Sequence, residues 1–185
     1  MELILASASP RRREILGRIV KDFSVLPARG EERSAETQPV PLVISLARAK
    51  AEEVASSHPK AAVLGADTVV WFEGRALGKP KDAADAKRTL RALSGRAHDV
   101  YTGYCLIAGG KVRTGACRTQ VFFRELSEAF IDEYVATGSP LDKAGSYGIQ
   151  DDARLVARYE GSYTNIVGLP EEEVGEILRE AGILE

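Results

Sequence analysis

A single carboxylate stands in the middle of a run that otherwise reads as a buried strand. Ala61, Ala62, Val63 and Leu64 lead into Gly65-Ala66-Asp67-Thr68, and Val69, Val70, Trp71 and Phe72 follow. An ionised carboxylate among buried apolar groups costs several kcal/mol unless a cation or hydrogen-bond donors compensate it. Asp67 therefore requires a partner, and a metal ion or a lysine meets that need. Any fold open to this chain has to bring one of them to the strand.

The length of 185 residues suits one domain, taken here as residues 1–185, and is ample for a core. A net charge of -2 offers no global attraction for nucleic acid or a membrane surface. Charge is concentrated locally instead, with Arg11, Arg12 and Arg13 basic and Glu171, Glu172 and Glu173 acidic. Cys105 and Cys117 do not make a disulfide framework and are expected to be reduced. With no CxxC and only His58 and His98, a zinc site is not expected. No apolar run approaches the roughly 18 residues that span a bilayer, and Met1 to Leu5 lacks the basic and apolar regions of a signal peptide. The expected location is cytoplasmic.

Residues 2–6 read as a short strand. Ser9-Pro10 reads as an N-cap with proline at the first helical position, and Ile15, Leu16 and Ile19 give that helix an apolar face. Phe23, Val25 and Leu26 suggest a second strand, residues 27–41 a long polar loop, and residues 42–57 an amphipathic helix. After the Asp67 strand, Glu73-Gly74 reads as a tight turn. A helix over 82–93 opens at Asp82 and closes near Ser94-Gly95. Residues 98–108 and 111–123 flank Gly109-Gly110 as a β-hairpin. Ser127 caps a helix ending at Gly138, 139–153 is a glycine-punctuated loop, 154–159 a strand, and the last helix starts at Pro170. Alternating strands and helices followed by a hairpin give an α/β class with a mixed sheet and flanking helices.

Several segments carry chemistry. Three arginines at a helix N-terminus have the wrong sign for the helix dipole. Together with free backbone N–H groups they suit an external phosphate; the plainer reading is a solvated basic face. Lys50, taken alone, reads as a surface lysine. Lys79, before Pro80 at a strand end, is placed where α/β sheets put ligands. Glu31-Glu32 in the long loop is either solvated or, with Asp67, a source of the oxygen ligands that hold magnesium on a polyphosphate. In Asp142-Lys143-Ala144-Gly145-Ser146-Tyr147-Gly148-Ile149-Gln150 the amide of Gln150 could pair with the imide edge of uracil or thymine, or the run is an ordinary turn. Gly161-Ser162-Tyr163 through Gly168-Leu169-Pro170 is a second such run.

In order, these segments resemble the Maf family of nucleoside triphosphate pyrophosphatases. The matching residues are Leu5-Ala6-Ser7 with Ser9-Pro10-Arg11-Arg12, Leu46-Ala47 with Lys50-Ala51, Gly65 to Thr68, Lys79-Pro80, Leu93-Ser94-Gly95, Leu141 to Gln150, and Gly161-Ser162-Tyr163 with Val167 to Pro170. The resemblance implies a fold similar to the inosine-triphosphate pyrophosphatases, with two lobes around a central cleft, often as a homodimer. It implies hydrolysis of a nucleoside triphosphate to the monophosphate and pyrophosphate with a divalent cation, Mg2+ or Mn2+. Family members are also linked to septum formation and cell-division arrest. Thr68 and Gln150 resemble the branch acting on dTTP and UTP rather than the one acting on 7-methyl-GTP; Asp151 departs from the glycine usual after Gln150.

On this resemblance Asp67 is catalytic, as proton acceptor or metal ligand, and Glu32 completes the metal shell with it. Ser7, Arg11, Arg12, Lys50 and Lys79 bind phosphate, and Arg11, Thr68 and Gln150 set base choice. A 7-methyl-GTP pyrophosphatase and a non-catalytic nucleotide-binding regulator are the alternatives. A nucleic-acid-binding role is not expected, because the basic patch is small and lacks interleaved aromatics.

Overall fold

The computed structural model describes every residue from Met1 to Glu185. It contains strands β1 (Leu3–Leu5), β2 (Ser24–Val25), β3 (Ala62–Phe72), β4 (Arg75–Leu77), β5 (Ala97–Ala108), β6 (Lys111–Phe123) and β7 (Val156–Glu160). The helices are α1 (Pro10–Ile19), α2 (Pro39–Ser57), α3 (Ala83–Leu93), α4 (Glu128–Ala136), α5 (Tyr163–Val167) and α6 (Glu171–Glu180). The strands pair in the order β2-β1-β3-β5-β6-β7, with β4 hydrogen-bonded to β3. The sheet is mixed: β1 runs parallel to β2 and β3, and β7 runs antiparallel to β6. Two compact units divide the chain, one formed by Met1–Thr68, Tyr101–Cys117 and Thr164–Glu185, the other by Val69–Val100 and Arg118–Tyr163.

The first unit has three layers, and strand alternation dictates them. Leu3, Leu5, Leu64 and Leu106 point to one face, where they pack with Ile15 and Leu16 of α1 and Val174 and Leu178 of α6. Ile4, Ala6, Val63 and Cys105 point to the other, against Ala47, Ala51 and Val54 of α2. Both faces of β3 are covered, which is why its sequence is an unbroken apolar run rather than an alternating one. The fit of α2 against the sheet is close. A Cβ on Gly65 would lie 2.3 Å from the carbonyl oxygen of Ala47, and one on Gly103 would lie 2.3 Å from the carbonyl carbon of Val43.

In the second unit β3 and β4 form a hairpin, with Val70 opposite Leu77. Its two turn residues, Glu73 and Gly74, both have positive φ, at 50° and 76°, the backbone twist that two-residue hairpin turns require. Asp82 caps α3 by accepting from the amide of Asp85, and Ser127 caps α4 by accepting from the amide of Phe130. The rings of His98, Phe123 and Tyr147 meet edge-to-face, with centroids 4.7–5.3 Å apart.

Differences from the sequence expectations are local. The loop over 27–41 is shorter, because α2 begins at Pro39 rather than residue 42: both Pro39 and Pro41 sit in its first turn, where a missing N–H costs nothing. The strand expected around Phe23–Leu26 is only Ser24–Val25. Single 3-10 turns at Ser139–Asp142 and Ala144–Ser146 occupy the loop expected over 139–153, and the short helix α5 lies in the run beginning at Gly161.

Candidate active site

Strand β3 delivers two polar side chains in succession, and its pleat sends them to opposite faces. Asp67 shares the parity of Val63 and Gly65 and so faces α2. There its Oδ1 accepts a 2.7 Å bond from Lys50 Nζ. Asp67 is 8 % exposed and the Lys50 side chain 16 %, so the pair is largely removed from water. The same Nζ lies 3.0 Å from Oε1 of Glu32, which reaches in from the segment before α2. Lys50 therefore bridges two carboxylates, and the plain reading of it as a surface lysine is wrong.

Thr68 has the opposite parity and meets Arg12. The guanidinium of Arg12, half-buried in the first turn of α1, donates from Nε to the Gly168 carbonyl at 2.8 Å, from Nη1 to Ser7 Oγ at 3.2 Å and from Nη2 to Thr68 Oγ1 at 3.0 Å. Thr68 Oγ1 also lies 2.8 Å from Thr102 Oγ1, a contact in which either hydroxyl can donate, since the Asn165 carbonyl is open to Thr102 at 3.2 Å and the Gly168 carbonyl to Thr68 at 3.4 Å. Gly168 adopts φ 132°, a conformation that favours glycine, and this turns its carbonyl to Arg12. At the head of α1, Ser9 accepts from the Arg12 amide, and Pro10 occupies the first helical position. Arg12 is thus a fixed cation rather than a solvated one. Arg11 beside it is half-buried and adds a like charge.

The structure brings Ser7, Arg12 and Thr68 into one network and Glu32, Lys50 and Asp67 into another, both in the first unit. Lys79 and Gln150 are exposed residues of the second unit. The sequence reading missed Thr102 and the carbonyl of Gly168. Thr102 is a plain member of the β5 pattern, whereas Gly168 did carry a signal as the glycine before Leu169-Pro170.

The two networks are electrically coupled. Burial pushes the Asp67 carboxyl above its ordinary range; Lys50 and Arg12 oppose that shift and Glu32 adds to it. Burial likewise pulls the Arg12 guanidinium down, with the Asp67 charge opposing. A raised acid binds its proton more tightly in the folded chain than in the unfolded one. The stability it contributes is complete below the unfolded value of 3.8 and is lost as pH rises through the folded value. Lys50 limits that loss. Lys50→Met, which keeps the length of the side chain, is expected to cost about 3 kcal/mol at pH 7. The cost should be much smaller at pH 4, where Asp67 can take up a proton. Urea unfolding at both pH values measures this, and equal losses would exclude charge compensation as the role of Lys50.

The donor set suits a hard divalent cation. Two carboxylates already converge on one positive centre, and magnesium typically takes one or two carboxylates and fills its remaining positions with water and phosphate oxygens. No group of three or more His, Cys, Asp or Glu side chains is arranged to hold a metal unaided, so further ligands have to come from substrate and water.

Comparison with known proteins identifies the family. Residues 2–181 match the family described as Maf-like protein. A dTTP/UTP pyrophosphatase of Thermococcus gammatolerans is 52 % identical over 181 residues, covering 97 % of this chain and 96 % of that protein. The dTTP/UTP pyrophosphatase of Moorella thermoacetica is 50 % identical over 186 residues, covering 98 % and 96 %. The solved structure of the Staphylococcus aureus Ham1 protein superposes with a TM-score of 0.55 at 12 % identity, covering 97 % of this chain and 99 % of that one, a likeness of fold. With its motifs in order from Leu5 to Pro170 and the match running almost end to end, the chain belongs to the Maf family.

Proposed function

We propose that this protein is a nucleoside triphosphate pyrophosphatase that hydrolyses dTTP and UTP to the monophosphate and pyrophosphate. The relatives at about half identity carry that name. The observation that carries the reading is the buried Asp67, bonded to Lys50 and joined through it to Glu32. A buried carboxylate whose burial and charge partners perturb its proton affinity, as Lys50 and the more distant Arg12 do for Asp67, is a pattern that clusters at functional sites.

In this reading a water oxygen attacks the α-phosphorus as the bond from that phosphorus to the α–β bridging oxygen breaks, and the electron pair leaves with pyrophosphate. Asp67, buried and bonded to Lys50, takes the proton of the attacking water. A Mg2+ or Mn2+ ion held by Asp67 and Glu32 would supply Lewis acidity toward water and phosphate oxygens. Lys50 then turns its charge to a phosphate oxygen. Arg12 and Ser7, immobilised by their mutual bond, present fixed donors, and Arg11 and Lys79 neutralise further phosphate charge. Thr68, held in place by Arg12 and Thr102, presents its hydroxyl to the base. Gln150 supplies the amide that matches a pyrimidine imide edge.

No helix is long and apolar enough to cross a membrane. We propose a cytoplasmic enzyme of single-domain chains, assembled as the homodimer that its family resemblance implies.

Pyrophosphate release from UTP, dTTP and 7-methyl-GTP at matched concentrations with Mg2+ tests the assignment. Turnover of UTP and dTTP at least tenfold above 7-methyl-GTP is expected. A preference for 7-methyl-GTP would overturn the branch, and nucleotide binding without release of pyrophosphate would make the protein a regulator.

A further inference from the structure

Glu32 is exposed and lies in a segment without regular structure, yet it meets Lys50. Something must hold it there, since an exposed ion pair alone is too weak to order a chain segment. Two ties flank it, and both end on α2. Upstream, the carboxylate of Glu53 accepts two backbone amides at once, Arg29 N at 2.7 Å on Oε1 and Gly30 N at 2.8 Å on Oε2. Downstream, the hydroxyls of Ser34 and Ser45 are 3.1 Å apart, and Ser34 Oγ also accepts from the Glu36 amide. Lys50 and Glu53 are three residues apart on α2 and so project from adjacent positions of the helix surface. One rigid helix therefore fixes both the lysine and the segment that brings Glu32 to it.

We propose that Glu53 is a positioning residue: by clamping the Arg29 and Gly30 amides it sets Glu32 within reach of Lys50 and Asp67, and so prepares the two-carboxylate cation site. The inference rests on the metal role given to Glu32 above. Charge-assisted bonds from backbone N–H to carboxylate are among the stronger hydrogen bonds, and these two hold Glu53 below the usual carboxylate range. Gly30 fits the clamp closely, since a Cβ there would lie 2.7 Å from Glu53 Oε2. Gly30→Ala therefore opens the same contact while leaving Glu53 in the chain.

The test uses the full-length protein and Mn2+ alone, with bound metal followed by electron paramagnetic resonance, alongside the Mg2+ dependence of pyrophosphate release from UTP. Glu53→Ala and Gly30→Ala are each expected to weaken Mn2+ binding about tenfold, the usual scale for losing a group that orients a ligand. Half-saturation by Mg2+ should rise by a similar factor while kcat recovers at high Mg2+, a split that general destabilisation does not produce. The double variant should be no worse than either single one, because both open one clamp. Glu53→Gln, with a single acceptor oxygen, should fall between. Mn2+ binding within twofold of the unsubstituted protein in both single variants would overturn the clamp. A Glu32→Gln variant separates the two readings: if it too binds Mn2+ normally, the metal role of Glu32 has failed rather than the clamp.

Discussion

Asp67→Asn is expected to lower pyrophosphate release from UTP about 10³-fold at saturating Mg2+ while leaving the protein folded. The magnitude is that of losing a positioned general base, which contributes about 10²–10⁴. Asparagine is close in volume to aspartate, and its carbonyl oxygen can still accept the 2.7 Å bond from Lys50. Lys50 also keeps Glu32 at 3.0 Å, so its charge is not abandoned. The substitution thus removes the proton acceptor and one anionic oxygen with little repacking. The ionised form of Asp67 is disfavoured by burial, so its removal should leave Tm at pH 7 within a few degrees of its starting value. Release of pyrophosphate at a near-normal rate by this variant would sink the catalytic assignment, whatever the specificity panel shows.

Gly65→Ala is expected to cost about 3 kcal/mol of stability, the upper end of overpacking costs. In a chain of this length that corresponds to a fall of roughly 10 °C in Tm. The new methyl would lie 2.3 Å from the Ala47 carbonyl oxygen and 2.9 Å from the Ala51 amide nitrogen. Both are backbone atoms of α2, so no side chain can rotate away and the helix itself must move off the strand. Lys50 rides on that helix. The variant should therefore also lose activity at temperatures where it is fully folded, since displacements of about 1 Å can cost about 10²-fold. Gly78→Ala is the control: no atom lies within 4 Å of a Cβ there, and little change is expected in Tm or rate. A Gly65→Ala protein with unaltered Tm would mean that α2 does not seat on the strand as described.

Much of this was readable from the chain because local chemistry and tertiary structure agree. Ser9, Asp82 and Ser127 announce three helix starts, and each caps its helix by side-chain hydrogen bonding. The apolar run around Asp67 reported a strand covered on both faces and a carboxylate in need of a cation. What the run could not report was which cation. Lys50 lies 17 residues away on a helix where Ala47, Ala49 and Ala51 are its near neighbours, and nothing in them distinguishes it from a solvated lysine. The same limit hid Thr102, whose role exists only through Thr68 and Asn165 on other elements. The start of α2 was misplaced because two prolines read as loop residues, although the first helical turn is where prolines are tolerated. The short helix α5 has five residues, too few for a periodic pattern to emerge.

The two ends of the chain share one core. Leu3 and Leu5 of β1 pack with Leu169, Val174 and Leu178, which lie in or just before α6. During synthesis, β1 and α1 therefore wait for α6 to be made before that face of β1 can be fully covered. The first unit cannot close while its last segment, Thr164–Glu185, is still inside the ribosome. Its folding depends on contacts of very long sequence separation, whose loop-closure entropy must be met before they form. Glu32, Lys50 and Asp67, proposed above as the cation site and its lysine, belong to this unit, so the nascent chain assembles them in their folded setting only after α6 has emerged.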